Sequence, residues 1–145
     1  MDKYDRIPIH GAVLSLETTS MEQPDNPPDL QVRSIVPYSR FAVRVGDDGM
    51  DTFGLRQGSY AIFRAQRYPT QECSVCLVRF GGEVTIRLLE GIHATLVTLR
   101  VAGDRIPPLE LAETDFTVVG VLDGVVLEEF AEVVEPERAT FEWGC

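Results

Sequence analysis

Residues 75–89 read VCLVRFGGEVTIRLL, and this stretch decides the fold class. Val75 to Phe80 is a short apolar run. Gly81-Gly82 closes it, and paired glycines supply the backbone freedom of a tight two-residue hairpin loop. Glu83 to Leu89 then returns as the partner strand. Val84, Ile86 and Leu88 share one face of it, while Thr85 and Arg87 share the other.

The neighbouring segments follow the same period. Phe41, Val43 and Val45 alternate with Ala42 and Arg44, as in a half-buried strand. Gly54 and Gly58 bracket a turn, and Tyr60 to Phe63 forms another short apolar run. Ala94 to Val101 and Phe116 to Val126 supply two more, separated by Pro107-Pro108. No segment carries a long 3.6-residue apolar period, and no fixed-period repeat is present. The expectation is an all-β single domain of short strands over residues 30–130. Residues 1–29 precede it as an N-terminal arm, in which residues 7–16, IPIHGAVLSL, read as extended. Pro24, Pro27 and Pro28 mark a loop between arm and domain. Residues 131–145 read as an acidic, loosely held tail carrying Phe141 and Trp143.

Charge narrows the function classes. Acidic residues outnumber basic ones 23 to 13, giving a formal net charge of −10. Phosphate binding needs clustered Lys and Arg, so direct nucleic-acid binding by this chain is not expected. No leader-like start is seen, and no apolar run reaches the roughly 18 residues a membrane span needs. The three cysteines are an odd count, unlike a disulfide framework. A cytoplasmic protein away from membranes is expected.

Three stretches in order carry a family resemblance. The first is Phe41-Ala42-Val43-Arg44-Val45-Gly46-Asp47-Asp48-Gly49-Met50, followed by Gly54-Leu55-Arg56-Gln57-Gly58-Ser59. The second is Glu83-Val84-Thr85-Ile86-Arg87-Leu88-Leu89. The third is Phe116 to Val126. Together they resemble the LexA/UmuD-type self-cleaving serine–lysine peptidase domain, whose core is shared with signal peptidases. The resemblance covers residues 7–128 and implies a β fold of short, strongly bent strands.

The resemblance also implies a catalytic dyad, and here the chain departs from it. The nucleophilic serine of the family falls on Gly49, and the lysine base falls on Arg87. A serine hydroxyl attacks only when a base takes its proton. A lysine can be that base only when burial leaves it neutral. Gly49 has no side chain, and Arg87 does not deprotonate at accessible pH. The flanking Met50 and Thr85 are intact. The small-residue pair that the family cuts falls on Ser15-Leu16, where Leu16 is bulkier than the usual glycine. The arm can still lie in the cleft as an added strand.

Other constellations are weaker. Asp47, Asp48 and Asp51 crowd one turn, but their spacing fits no known cation loop. An ion pair between Arg87 and one of these acids is expected instead. Cys73-Ser74-Val75-Cys76 spells C-x-x-C. Residues three apart on a strand point to opposite faces, so two ordinary cysteines are expected and no metal site. His10 and His93 lie far apart. Lys3 is the one lysine, so a relocated serine–lysine dyad would have to use it. No cofactor is expected.

The leading expectation is a catalytically inactive peptidase-fold domain. It would act as a dimerisation or partner-binding module in transcriptional or SOS/phage-type regulation. A homodimer is expected, with Val118, Val121 and Val125 as a possible dimer surface and a regulatory protein as a possible partner. The alternative is a peptidase that cuts its own arm with an unrecognised nucleophile or with groups supplied by a partner.

Overall fold

The structure is a computed structural model and describes residues 4–20, 25–69 and 71–136. Among these the chain forms ten strands. They are β1 (Asp5–Val13), β2 (Asp29–Val32), β3 (Arg40–Val45), β4 (Tyr60–Arg64), β5 (Ser74–Phe80), β6 (Glu83–Glu90), β7 (Val97–Arg100), β8 (Leu109–Leu111), β9 (Thr117–Val126) and β10 (Glu132–Val134). Helix is confined to single 3-10 turns, as the lack of a 3.6-residue period predicts. All ten strands join one sheet in the order β10-β2-β1-β3-β4-β9-β5-β6-β7-β8. This is the all-β, single-domain fold expected from the sequence.

The 75–89 hairpin forms as read. Phe80 faces Glu83 across the loop, and Gly81 and Gly82 take φ of 60° and 79°. Both loop positions therefore need positive φ, which glycine meets without strain. β6 differs from a half-buried strand in one respect: Thr85 and Arg87, opposite Ile86, are also buried. Something polar must cover that second face, and the arm supplies part of it.

The sheet curls until its middle strands nearly close on themselves. Five places separate β1 from β6 in the strand order, yet the chain just after β1 returns to β6. Thr19 and Val84 exchange backbone hydrogen bonds of 2.9 and 2.8 Å, and the Ile86 N–H donates to the Leu14 carbonyl at 3.4 Å. The main core fills this curl, with Val13, Phe41, Val43, Val45, Met50, Leu55, Phe63, Leu77 and Ile86 all buried. A second cluster, around Ile7, Ile9, Leu30 and Ile62, packs β1 and β2 against β3 and β4. A third, around Cys76, Val78, Leu89, Leu99 and Val118, lies under β7 and β9.

Three expectations change. The arm is not separate from the domain, because β1 lies between β2 and β3 and runs parallel to β3. The ion pair of Arg40 with Asp5, 2.7 Å apart, fastens it there. The boundary at residue 131 also moves: β10 pairs with β2 and holds the sheet edge, while Phe141 and Trp143 lie outside the described residues. Finally, β9 is hydrogen-bonded on both sides, to β4 and β5, so it presents no free edge. Val118 is core at 6% exposure, and Val121 and Val125 are half-buried against the third and main clusters.

Candidate functional site

The arm, the turn after β3 and the part of β6 that β7 leaves unpaired meet at one place. β3 ends at Val45, and the chain turns through Gly46, Asp47, Asp48 and Gly49 to the fully buried Met50. A 3-10 turn, Asp51–Phe53, follows and is closed by Gly54 at φ 85°. Two contacts hold this loop from behind. The Ala102 N–H donates to the Gly49 carbonyl at 2.9 Å. Arg105 pairs with Asp48 at 3.4 Å and Asp51 at 2.9 Å.

Asp47 faces the other way, towards the arm. Its carboxylate accepts from the N–H of Ser15 at 2.9 and 3.1 Å, of Leu16 at 2.9 Å and of Gly49 at 3.1 Å. Hydrogen bonds to an ionised acceptor are short and strong, and this carboxylate satisfies three backbone donors at once. On the opposite side Thr85 Oγ1 donates to the Leu14 carbonyl at 2.9 Å and lies 3.3 Å from the Ser15 carbonyl. Thr18 Oγ1 donates to Glu83 at 2.7 Å. The segment Leu14–Leu16 is thus bonded through its donors to the loop and through its acceptors to β6.

The position assigned to the nucleophile lies at this junction, and the charge of Asp47 in it reaches the position assigned to the base, Arg87. A Cβ placed on Gly49 would stand 2.7 Å from the Ser15 Cβ and 3.0 Å from the Leu16 Cγ. The pair assigned as the scissile position therefore lies against the position assigned as the nucleophile. Arg87 is 3% exposed. Burial lowers the pKa of its guanidinium, and the charge of Asp47 opposes that shift.

The expected ion pair of Arg87 with Asp47, Asp48 or Asp51 does not form. The one side-chain hydrogen bond of Arg87 among the described residues goes to the Leu99 carbonyl at 3.4 Å, and its Nε is unpartnered. The reason is competition: Arg105 takes Asp48 and Asp51, and the arm and loop amides take Asp47. Sequence reasoning placed Arg87, Gly49 and Ser15 together but missed Arg105 and the turn of Asp47 towards the arm. Those partners are 31 to 57 residues apart.

The remaining candidates separate. Cys73 is exposed at φ 59°, just before β5, while Cys76 is fully buried on it with its thiol pushed up to about 12 by desolvation. The two do not form a disulfide. His10 is half-buried and stacks on Phe41 at 5.0 Å, and burial lowers its pKa. His93 is exposed in the loop after β6.

A family model now gives the family of the chain. It describes Peptidase S24-like domains and matches residues 12–123, from the arm through most of β9. The chain belongs to the Peptidase S24-like family. No match was found among the curated proteins. The span matched by the S24 model includes Ser15, Asp47, Gly49, Thr85 and Arg87, so the junction lies inside the family's shared region. No helix among the described residues is long and apolar enough to cross a membrane.

Proposed function

We propose that this S24-like domain does not cut its own arm and acts by association. In this reading it is a dimerisation or partner-binding module in transcriptional or SOS/phage-type regulation of the LexA/UmuD kind. One observation carries the first half: where the arm meets the loop, Gly49 offers no nucleophile and the buried cation is an arginine. Burial that lowers the pKa of a cation would carry a lysine at 87 towards the neutral base the chemistry needs. An arginine stays charged through the same shift. The alternative nucleophile nearest the junction, Ser15, has a buried hydroxyl with no hydrogen-bond partner, so no base touches it.

The reading is tested by restoring the dyad. A serine at 49 would collide with Ser15, so the variant is Ser15→Gly/Gly49→Ser/Arg87→Lys. It is expected to cut its own chain near residues 15–16 over days as pH rises towards the ordinary lysine value of about 10.4. A folded triple variant that keeps its full mass would count against Gly49 and Arg87 as the lost dyad. Association is read by sedimentation, where a dimer at micromolar concentration is expected and a strict monomer would contradict the homodimer.

A further inference from the structure

We propose that a cavity over the third core cluster is a docking pocket for Phe141-Glu142-Trp143 of a second copy of this chain. This rests on the homodimer read above and names the surface that forms it. The pocket shares no residue with the junction of Ser15, Asp47, Gly49 and Thr85.

The cavity encloses 540 Å³. Cavities of about 300–1,000 Å³ enclose a drug-sized group, so an indole ring fits. The floor is the buried Leu89, Val97 and Val118, and Ile92 and Phe116 stand as walls. One wall is fixed in place: the Glu72 carboxylate accepts from the N–H of Gly91 and, at 3.3 Å, from that of Ile92. Tyr68 lines the mouth at 69% exposure, and Leu96, on the loop that carries Ile92, is 47% exposed. Large apolar side chains left in water around a concave apolar floor mark an interaction surface. Arg67 and His93 also line the pocket, against one acid, Glu113. Arg67 has no ion pair among the described residues, although the chain carries a net charge of −10.

An apolar floor beneath an unpaired guanidinium suits aromatic side chains with a carboxylate between them. This chain has one such run, Phe141-Glu142-Trp143, outside the described residues. Its indole takes the floor, and Glu142 pairs with Arg67 at the rim.

Topology gives the run to a second copy. β10 is antiparallel to β2, and β2 to β1. β1 is parallel to β3, and β4 lies antiparallel between β3 and β9. β10 therefore runs in the same direction as β9. The chain leaves β10 at the end of the sheet opposite the start of β9, where Phe116 and Val118 line the pocket. Five places in the strand order also separate β10 from β9. Within one copy the run would have to double back and cross the sheet. A second copy's run arrives without that detour, and two copies that exchange runs close as a symmetric pair.

The test follows Trp143 fluorescence and sedimentation together on the full chain, over a dilution series across the micromolar range. Trp143 is the one tryptophan, so its emission reports the docking directly. Emission is expected to shift to the blue as the dimer forms, because the indole leaves water. Arg67→Glu changes an exposed side chain and leaves the core alone. It is expected to weaken the dimer at least about tenfold and to return the emission towards that of a solvated indole. Glu142→Arg is expected to do the same, and Arg67→Glu/Glu142→Arg to recover to within about threefold of wild type. A dimer whose emission matches the monomer's overturns the pocket and leaves the homodimer standing. Blue-shifted emission at every dilution, even in the monomer, puts the run in its own copy and also overturns the proposal. So does a double variant that fails to recover. A strict monomer with a solvated indole overturns the pocket and the homodimer together.

Discussion

Gly120→Ala is expected to destabilise the protein by about 3 kcal/mol, the upper end for an overpacked core. Gly120 lies on β9, where that strand crosses between β4 and β5. Its Cβ would stand 2.8 Å from the Phe63 Cβ, 3.0 Å from the Arg64 carbonyl oxygen and 3.0 Å from the Phe41 Cζ. Two of these obstacles are backbone or adjacent to it, and the third belongs to a ring stacked on Phe63 at 5.7 Å. None can swing aside, so the strand itself must move. Gly124→Ala is the control on the same strand. Its Cβ would meet only the Ile62 Cδ1, at 3.9 Å, an ordinary contact. That substitution is expected to change stability by no more than about 0.5–1 kcal/mol, in the stabilising direction, because alanine loses less backbone entropy on folding. Urea unfolding of the two variants checks the contrast, and equal midpoints would contradict the packing described for β9.

Asp47→Ala is expected to cost a similar amount, about 2–4 kcal/mol, for a different reason. The carboxylate satisfies three backbone N–H groups, two of them on the arm. Hydrogen bonds to a charged acceptor contribute roughly 1.5–3 kcal/mol each, and a buried donor left unpaired costs about 1–3 kcal/mol. The sum is discounted because Asp47 is partly exposed and water can reach some of the released donors. The variant also removes the negative charge that acts on the buried Arg87. A loss below about 1 kcal/mol in the same urea measurement would mean that the other bonds of the arm carry its docking. These are the bonds of Thr85 and Thr18, the ion pair of Arg40 with Asp5 and the bridge of Thr19 to Val84.

What the sequence showed depended on how local each signal was. The β5–β6 hairpin was legible because alternation and the double glycine lie within fifteen consecutive residues. Gly49 and Arg87 were assigned to the dyad through the resemblance, from their neighbours Met50 and Thr85. β1 was read as extended, but its place inside the sheet was not legible. Its pairing with β3 is parallel, and nothing in either strand marks the other. β10 is three residues in an acidic segment, too short to show a period. Val118, Val121 and Val125 were read as a possible dimer surface, and the strand packs against clusters on both faces. The Arg87 ion pair failed on competition. The resemblance placed the acids near Arg87, but Arg105 and the backbone donors of the arm are on them.

The central claim is that this S24-like chain holds its arm in the cleft and does not cut it. The most direct measurement is the intact mass of the purified wild-type chain, followed for days at neutral and at alkaline pH. Alkaline pH is the stringent condition, because it would neutralise any lysine or amine acting as base. The account predicts an unchanged mass at both. A single clean cut at or beside Ser15-Leu16 would contradict it, and would show that the junction of Ser15, Gly49 and Arg87 contains a working nucleophile.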